Sequence, residues 1–259
     1  MERLSTNRRP AGITVNALRT WGVLFLVIGI VGRGVLQTHV LKFTGMNTQQ
    51  MLEAMQTSGT VMANATLSLV LQALEVCAVP IFAMLLVEGV LHTSDFKAYF
   101  LRVLGTAVLS EIPYNLAIGG KLFDLSSRNP VFATVLAMVL LYFFRRYGGP
   151  GFRGRLFQIL LTVAALVWAR MLGIEFGGPM VLMVCVLWVF RGKVLLRNFA
   201  GATAAIVCSL FSPFFLASPM AFLAIHMCNG ERNEDNRLLN YLLYPAVLLL
   251  VGIVCPILF

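Results

Sequence analysis

Residues 198–230 read NFAGATAAIVCSLFSPFFLASPMAFLAIHMCNG, and no Asp, Glu, Lys or Arg interrupts them. A water-soluble globule rarely carries such a run, because a surface element needs polar residues on its outer face. The stretch is also longer than the ~20 residues that one bilayer crossing requires. Proline ends a helix, so Ser212-Pro213 divides it into two spans, 197–213 and 215–229.

The same pattern extends through the chain. The protein has 259 residues, of which 59% are hydrophobic and only 12% charged, with a mean hydropathy of +0.84, too little polar surface for a soluble fold of this size. Apolar runs alternate with short charged clusters, whereas the ten-residue alternating segments of a membrane barrel do not occur. The expected fold is an all-α polytopic transmembrane bundle of about nine helices, at roughly 17–36, 66–91, 98–118, 130–144, 156–173, 177–190, 197–213, 215–229 and 239–258. Eight helices is the alternative if the proline break fails. No repeat or linker divides the chain, so residues 1–259 read as one transmembrane domain. The first apolar run contains Arg33 and lacks a cleavage pattern, so it reads as a retained helix.

Charge sets the orientation, because Lys and Arg accumulate in cytoplasmic loops. With the amino terminus cytoplasmic, inner segments hold thirteen basic residues: Arg3, Arg8, Arg9, Lys97, Arg145, Arg146, Arg153, Arg155, Arg191, Lys193, Arg197, Arg232 and Arg237. Outer loops hold only Lys42, Lys121 and Arg128. The net charge of +9 therefore reads as contact with the anionic lipid of a bilayer; no basic stripe interleaved with aromatics points to nucleic acid. The five cysteines lie in apolar runs at spacings that fit neither a disulfide framework nor a metal site. The outer segment 38–65 reads either as an interfacial helix, with Met51, Leu52, Met55 and Met62 loosely on one face, or as a solvated loop.

Ionisable residues inside spans cost about 2.5–3.5 kcal/mol each and mark the places to look for function. Arg19, Glu88, His92 and Arg102 fall toward the cytoplasmic side, with His226 one helix away; Arg33, Glu75, Glu111 and Arg170 fall toward the outer side. Glu88 and His92 are one helical turn apart and share a face. Across the following short loop, Arg102 is expected to pair with Glu88. This group is either a buried ion pair that sets helix register or a cationic, imidazole-bearing mouth for an anionic ligand and proton transfer. In the third helix, Glu111-Ile112-Pro113-Tyr114-Asn115 combines a carboxylate, a kink and an amide, which suits either a pocket wall or a structural kink with Glu111 paired to Arg33 or Arg170.

The block Val79-Pro80-Ile81-Phe82 through Val87-Glu88-Gly89, followed by His92-Thr93, Tyr99, Arg102 and Ser110-Glu111-Ile112-Pro113-Tyr114-Asn115-Leu116, resembles the TraX family. So do Asn129-Pro130-Val131-Phe132, Asn229-Gly230-Glu231-Arg232 and Tyr241-Leu242-Leu243-Tyr244-Pro245, in the same order along most of the chain. The resemblance implies a multi-pass protein of a bacterial inner membrane that transfers an acetyl group from acetyl-CoA to an amine, as in acetylation of conjugative pilin. It implies His92, Glu88 and Glu111 as proton-transfer residues, Arg102 and Arg19 as cofactor-binding cations, and Asn115 and Tyr114 as substrate-binding residues beside a protein or peptide acceptor. The chain departs from the family at three places. An Asp-His pair common in the first helix is absent from Leu26–Gly32, a last-helix histidine is Val247, and an arginine before the Pro-Ile-Phe motif is replaced at Val76. These departures keep a second reading open, a non-catalytic partner of a paralogous membrane protein. A small transporter is a third.

Overall fold

The computed structural model describes residues 12–124, 126–149, 151–231 and 237–258, with side chains of the last segment from Tyr241 onward. Among these residues the architecture is all-α, and two isolated backbone bridges, Ile13 to Cys228 and Arg128 to Ile174, join loops. Helix α1 (Val15–Ile30) starts at Thr14, whose hydroxyl accepts the Ala17 N–H at 3.2 Å, and continues into a wider π-helical segment, Val31–Val40. Helix α2 (Thr48–Thr57) opens with a reciprocal capping box between Asn47 and Gln50, so the outer segment is helical and Met62 belongs to the next element.

The helix expected over 66–91 is two helices, α3 (Gly59–Glu75) and α4 (Ala78–His92). Pro80 supplies no N–H for the carbonyl of Val76, and the chain crosses the gap by tighter turns, Cys77 N–H to Leu74 O and Val79 N–H to Val76 O. Helix α5 (Phe96–Tyr114), capped by Asp95 on the Ala98 N–H, carries Pro113 and widens into a π-helical turn at Asn115–Gly119. Then follow α6 (Val131–Tyr147), α7 (Phe152–Met171), α8 (Gly177–Val189) and α9 (Val194–Val207). The expected break occurs at Ser212, which is extended before Pro213; 3₁₀ turns over Pro213–Met220 then lead to the short α10 (Ala221–Met227), and α11 (Arg237–Leu258) closes the bundle.

Among the described residues, four helical stretches are long and apolar enough to cross a membrane: Val15–Val40, Gly59–His92, Phe152–Met171 and Tyr241–Leu258. Gly177–Val189, Val194–Leu210 and Pro213–Met227 are apolar but shorter than full spans. The reason is position. Helix α8 lies at the centre, packed by α4, α6, α7 and α9, with Met183, Val184 and Leu187 fully buried, and a helix enclosed by protein need not match the bilayer thickness. The main core joins α4, α6, α8, α9 and α10, and a smaller one forms where α11 meets α5 and its π-helical turn.

The two ends of the bundle group the loops as the alternation of spans requires. Arg145 donates to Val90 O at 2.9 Å and Val15 N–H to Glu231 O at 2.9 Å at one end; Arg128 N–H donates to Gly173 O at 2.8 Å at the other. Arg3, Arg8, Arg9 and Arg232, counted among the inner charges, lie outside the described residues, as does the side chain of Arg237.

Candidate functional site

A cavity of about 1360 Å³ opens between α1, α4 and α5, with Tyr241 and Tyr244 of α11 on its flank. That exceeds the ~300–1,000 Å³ of most small-molecule sites. Its mouth is built from the carboxyl end of α4, the amino ends of α1, α5 and α9, and the loop at Asn229-Gly230. Gly89 sits where α4 meets Tyr99; a Cβ there would fall 2.9 Å from the tyrosine hydroxyl, so glycine lets the two elements close.

Four of the seven residues singled out from sequence line this mouth: Arg19, Glu88, His92 and Arg102. Glu88 and His92 interact as their spacing required. His92 Nδ1 lies 2.8 Å from the backbone oxygen of Glu88 and 3.4 Å from its carboxylate. A carbonyl only accepts, so Nδ1 carries the hydrogen, which leaves Nε2 as the ring nitrogen whose lone pair can take up a proton. With 62% of its side chain exposed, His92 is open to the cavity mouth.

The expected Glu88–Arg102 pair is corrected. Glu88 is held by Arg197 Nη1 at 3.2 Å, while Arg102 stands exposed on the opposite wall. Arg197 had been grouped with the inner loop charges, yet it is buried on the first turn of α9 and lines the cavity. Its Nε faces Asn198 Oδ1 at 3.4 Å, and Asn198 Nδ2 donates to His226 Nδ1 at 3.3 Å. One polar chain thus joins His92, Glu88, Arg197, Asn198 and His226 across α4, α9 and α10. The signal in the sequence was the place of Arg197, at the head of the charge-free stretch.

The other three predicted residues belong elsewhere. Glu111 does not line the cavity and pairs with neither Arg33 nor Arg170. Its carboxylate accepts from Arg128 Nη1 at 3.0 Å and from Asn129 N and Nδ2 at 3.2 and 2.7 Å, while Asn129 Nδ2 also reaches Ala107 O at 2.8 Å. This ties the start of α6 to α5. Asn115 is buried outside the cavity lining, and Tyr114 donates its hydroxyl to Glu175.

Glu175 escaped the sequence reading because it occupies a loop of a few residues between α7 and α8. Arg33 bridges it to Glu75, one guanidinium nitrogen on each carboxylate, and stacks on Phe176 with 5.5 Å to the ring centroid. The loop is shaped for this. Gly173, at φ +61, ends α7 in a Schellman turn with Gly173 N–H on Arg170 O and Ile174 N–H on Ala169 O. Glu175 N–H then bonds Arg128 O at 3.1 Å. Phe176 adopts φ +55, a strained conformation for an aromatic residue, which puts its ring under Arg33 and at the inner end of the cavity.

Among the described residues no cluster of His, Cys, Asp and Glu has the geometry of a metal site. The five cysteines are free thiols.

No curated protein and no solved structure matches the chain. The model of the family described as TraX protein matches residues 39–255, most of the chain and all of the cavity-lining residues of α4 and α5, and the chain belongs to the TraX family.

Proposed function

We propose that the protein is a membrane acyltransferase that moves an acetyl group from acetyl-CoA to an amine on a membrane-embedded or exported acceptor. The observation that carries this reading is the cavity mouth, where an oriented Glu88–His92 pair stands among three guanidinium groups, Arg19, Arg102 and Arg197. Family membership supports it, since pilin acetylation is the activity associated with the family. Acetyl-CoA supplies an activated thioester, and the residues present suit it: the cations attract phosphates, and the volume accommodates a large donor. His92 Nε2 accepts the proton of the attacking amine as the C–N bond forms and the C–S bond breaks, and returns that proton to the departing thiolate. Glu88 orients the imidazole through its backbone carbonyl, and Arg197 holds the Glu88 carboxylate in place. With the basic loops facing the cytoplasm, the mouth opens toward the compartment that contains the donor.

The test is incubation of the purified protein with labelled acetyl-CoA and amine acceptors. His92→Ala is expected to lower transfer by about 10²-fold or more. Undiminished transfer in that variant overturns the proton-transfer assignment. The absence of an Asp-His pair from Leu26–Gly32 favours a second reading, a scaffold that partners an active paralogue; equal inactivity of wild type and variant, with co-purification of such a relative, is its signature.

A further inference from the structure

The cavity is deeper than acetyl transfer requires, and its lining changes character with depth. At the mouth stand Arg19, Glu88, His92, Arg102 and Arg197; inward, the walls become Val23 and Leu26 of α1, Val131 of α6, Met180 of α8 and the ring of Phe176. Tyr244, Thr134 and Thr106 are polar groups at that depth. Along α4 the lining runs from Glu88 back to Ala78, and along α1 from Arg19 to Leu26, which at about 1.5 Å per residue is a shaft about 10–15 Å deep.

We propose that this shaft binds the acyl chain of the donor, so that the site takes medium-chain acyl thioesters of coenzyme A in preference to acetyl-CoA. The inference rests on the acyltransferase reading of the same site and names its donor class. The two halves of the cavity match the two halves of such a donor. A phosphate-bearing head is drawn to the basic side chains around the mouth, the pantetheine arm carries the thioester carbonyl to the level of His92, and the chain descends among apolar side chains. An acetyl group ends at the mouth and leaves the shaft unfilled. Each methylene removed from water by apolar walls tightens binding about three- to fourfold when fully buried.

The experiment measures binding and transfer for acetyl-, butyryl-, octanoyl- and palmitoyl-CoA with the full chain in nanodiscs. Affinity is expected to rise by at least about tenfold from acetyl to octanoyl. It should stop rising with palmitoyl, whose chain outruns the shaft. Narrowing the shaft tests the location: Leu26→Trp and, from the opposite wall, Met180→Trp each reduce the octanoyl-to-acetyl affinity ratio toward one. Two variants guard against one that fails to fold, and comparing the ratio between variant and wild type in the same nanodiscs cancels partition of donors into lipid. Equal affinity for acetyl and octanoyl donors, or a preference for octanoyl untouched by both variants, overturns the proposal while acetyl transfer still supports the acyltransferase reading. Octanoyl-CoA bound selectively without transfer to any amine upholds the shaft and rejects the enzyme.

Discussion

Gly29 of α1 provides the sharpest test of the buried charge cluster. A Cβ built at this position falls 2.0 Å from Cδ of Glu75 and 2.2 Å from its Oε2, so Gly29→Ala cannot coexist with the carboxylate where it stands. Glu75 is 2% exposed, and its partner Arg33 is 13% exposed. Displaced by the methyl group, the buried carboxylate loses the guanidinium that compensates its charge. Breaking a buried pair in this way costs about 3–5 kcal/mol. For a chain of this size that corresponds to a drop of about 6–20 °C in unfolding temperature. Thermal unfolding of detergent-solubilised protein reads the shift directly. Glu75→Ala alone is expected to cost less, because Arg33 keeps Glu175 and no charge is stranded. The double change Gly29→Ala with Glu75→Ala should recover most of the loss, since the methyl group then meets empty space. Gly29→Ala with an unchanged unfolding temperature, or a double variant no better than Gly29→Ala, would refute the reasoning.

Further expectations concern the site and the topology. Glu88→Gln and Arg197→Gln should each destabilise by about 1–3 kcal/mol and couple in a double-mutant cycle, because the arginine is buried and the glutamate only partly so; additivity rejects the pair. Arg102→Gln, at an exposed position, should stay within about 0.5 kcal/mol of wild type, and a larger loss of stability would show that it has a structural partner. Gly201→Ala places a Cβ 2.4 Å from the Phe222 ring and should cost about 1–3 kcal/mol by overpacking α9 on α10, read as a lower unfolding temperature; a neutral outcome means the ring moves freely. In intact cells, a membrane-impermeant thiol reagent should label Gln56→Cys and Lys121→Cys but not Gly149→Cys; the reverse pattern inverts the orientation.

Much of this molecule was legible because a bilayer imposes simple demands on a chain. Long charge-free runs, proline at 213 and the lopsided basic residues led to an all-α membrane bundle and to a break at Ser212 that the structure contains. The Glu88–His92 contact was legible for a local reason, since one helical turn places both on one face. Where local rules competed, the reading erred. Pro80 sits in an apolar run that hydropathy alone reads as continuous, yet its missing N–H divides α3 from α4.

The sequence by itself determined the solvent, the helical class, the family and the pair of residues at the cavity mouth, because each depends on composition or on neighbours within a turn. Only the tertiary structure decided which charge meets which. Arg197 reaches Glu88 from 109 residues away, and Arg33 meets Glu175 across 142, while Glu111 meets Arg128 and ties α5 to the start of α6. Such pairings depend on the order in which helices pack around α8, and that order follows from shape and burial summed over the whole bundle. No short window of residues contains it.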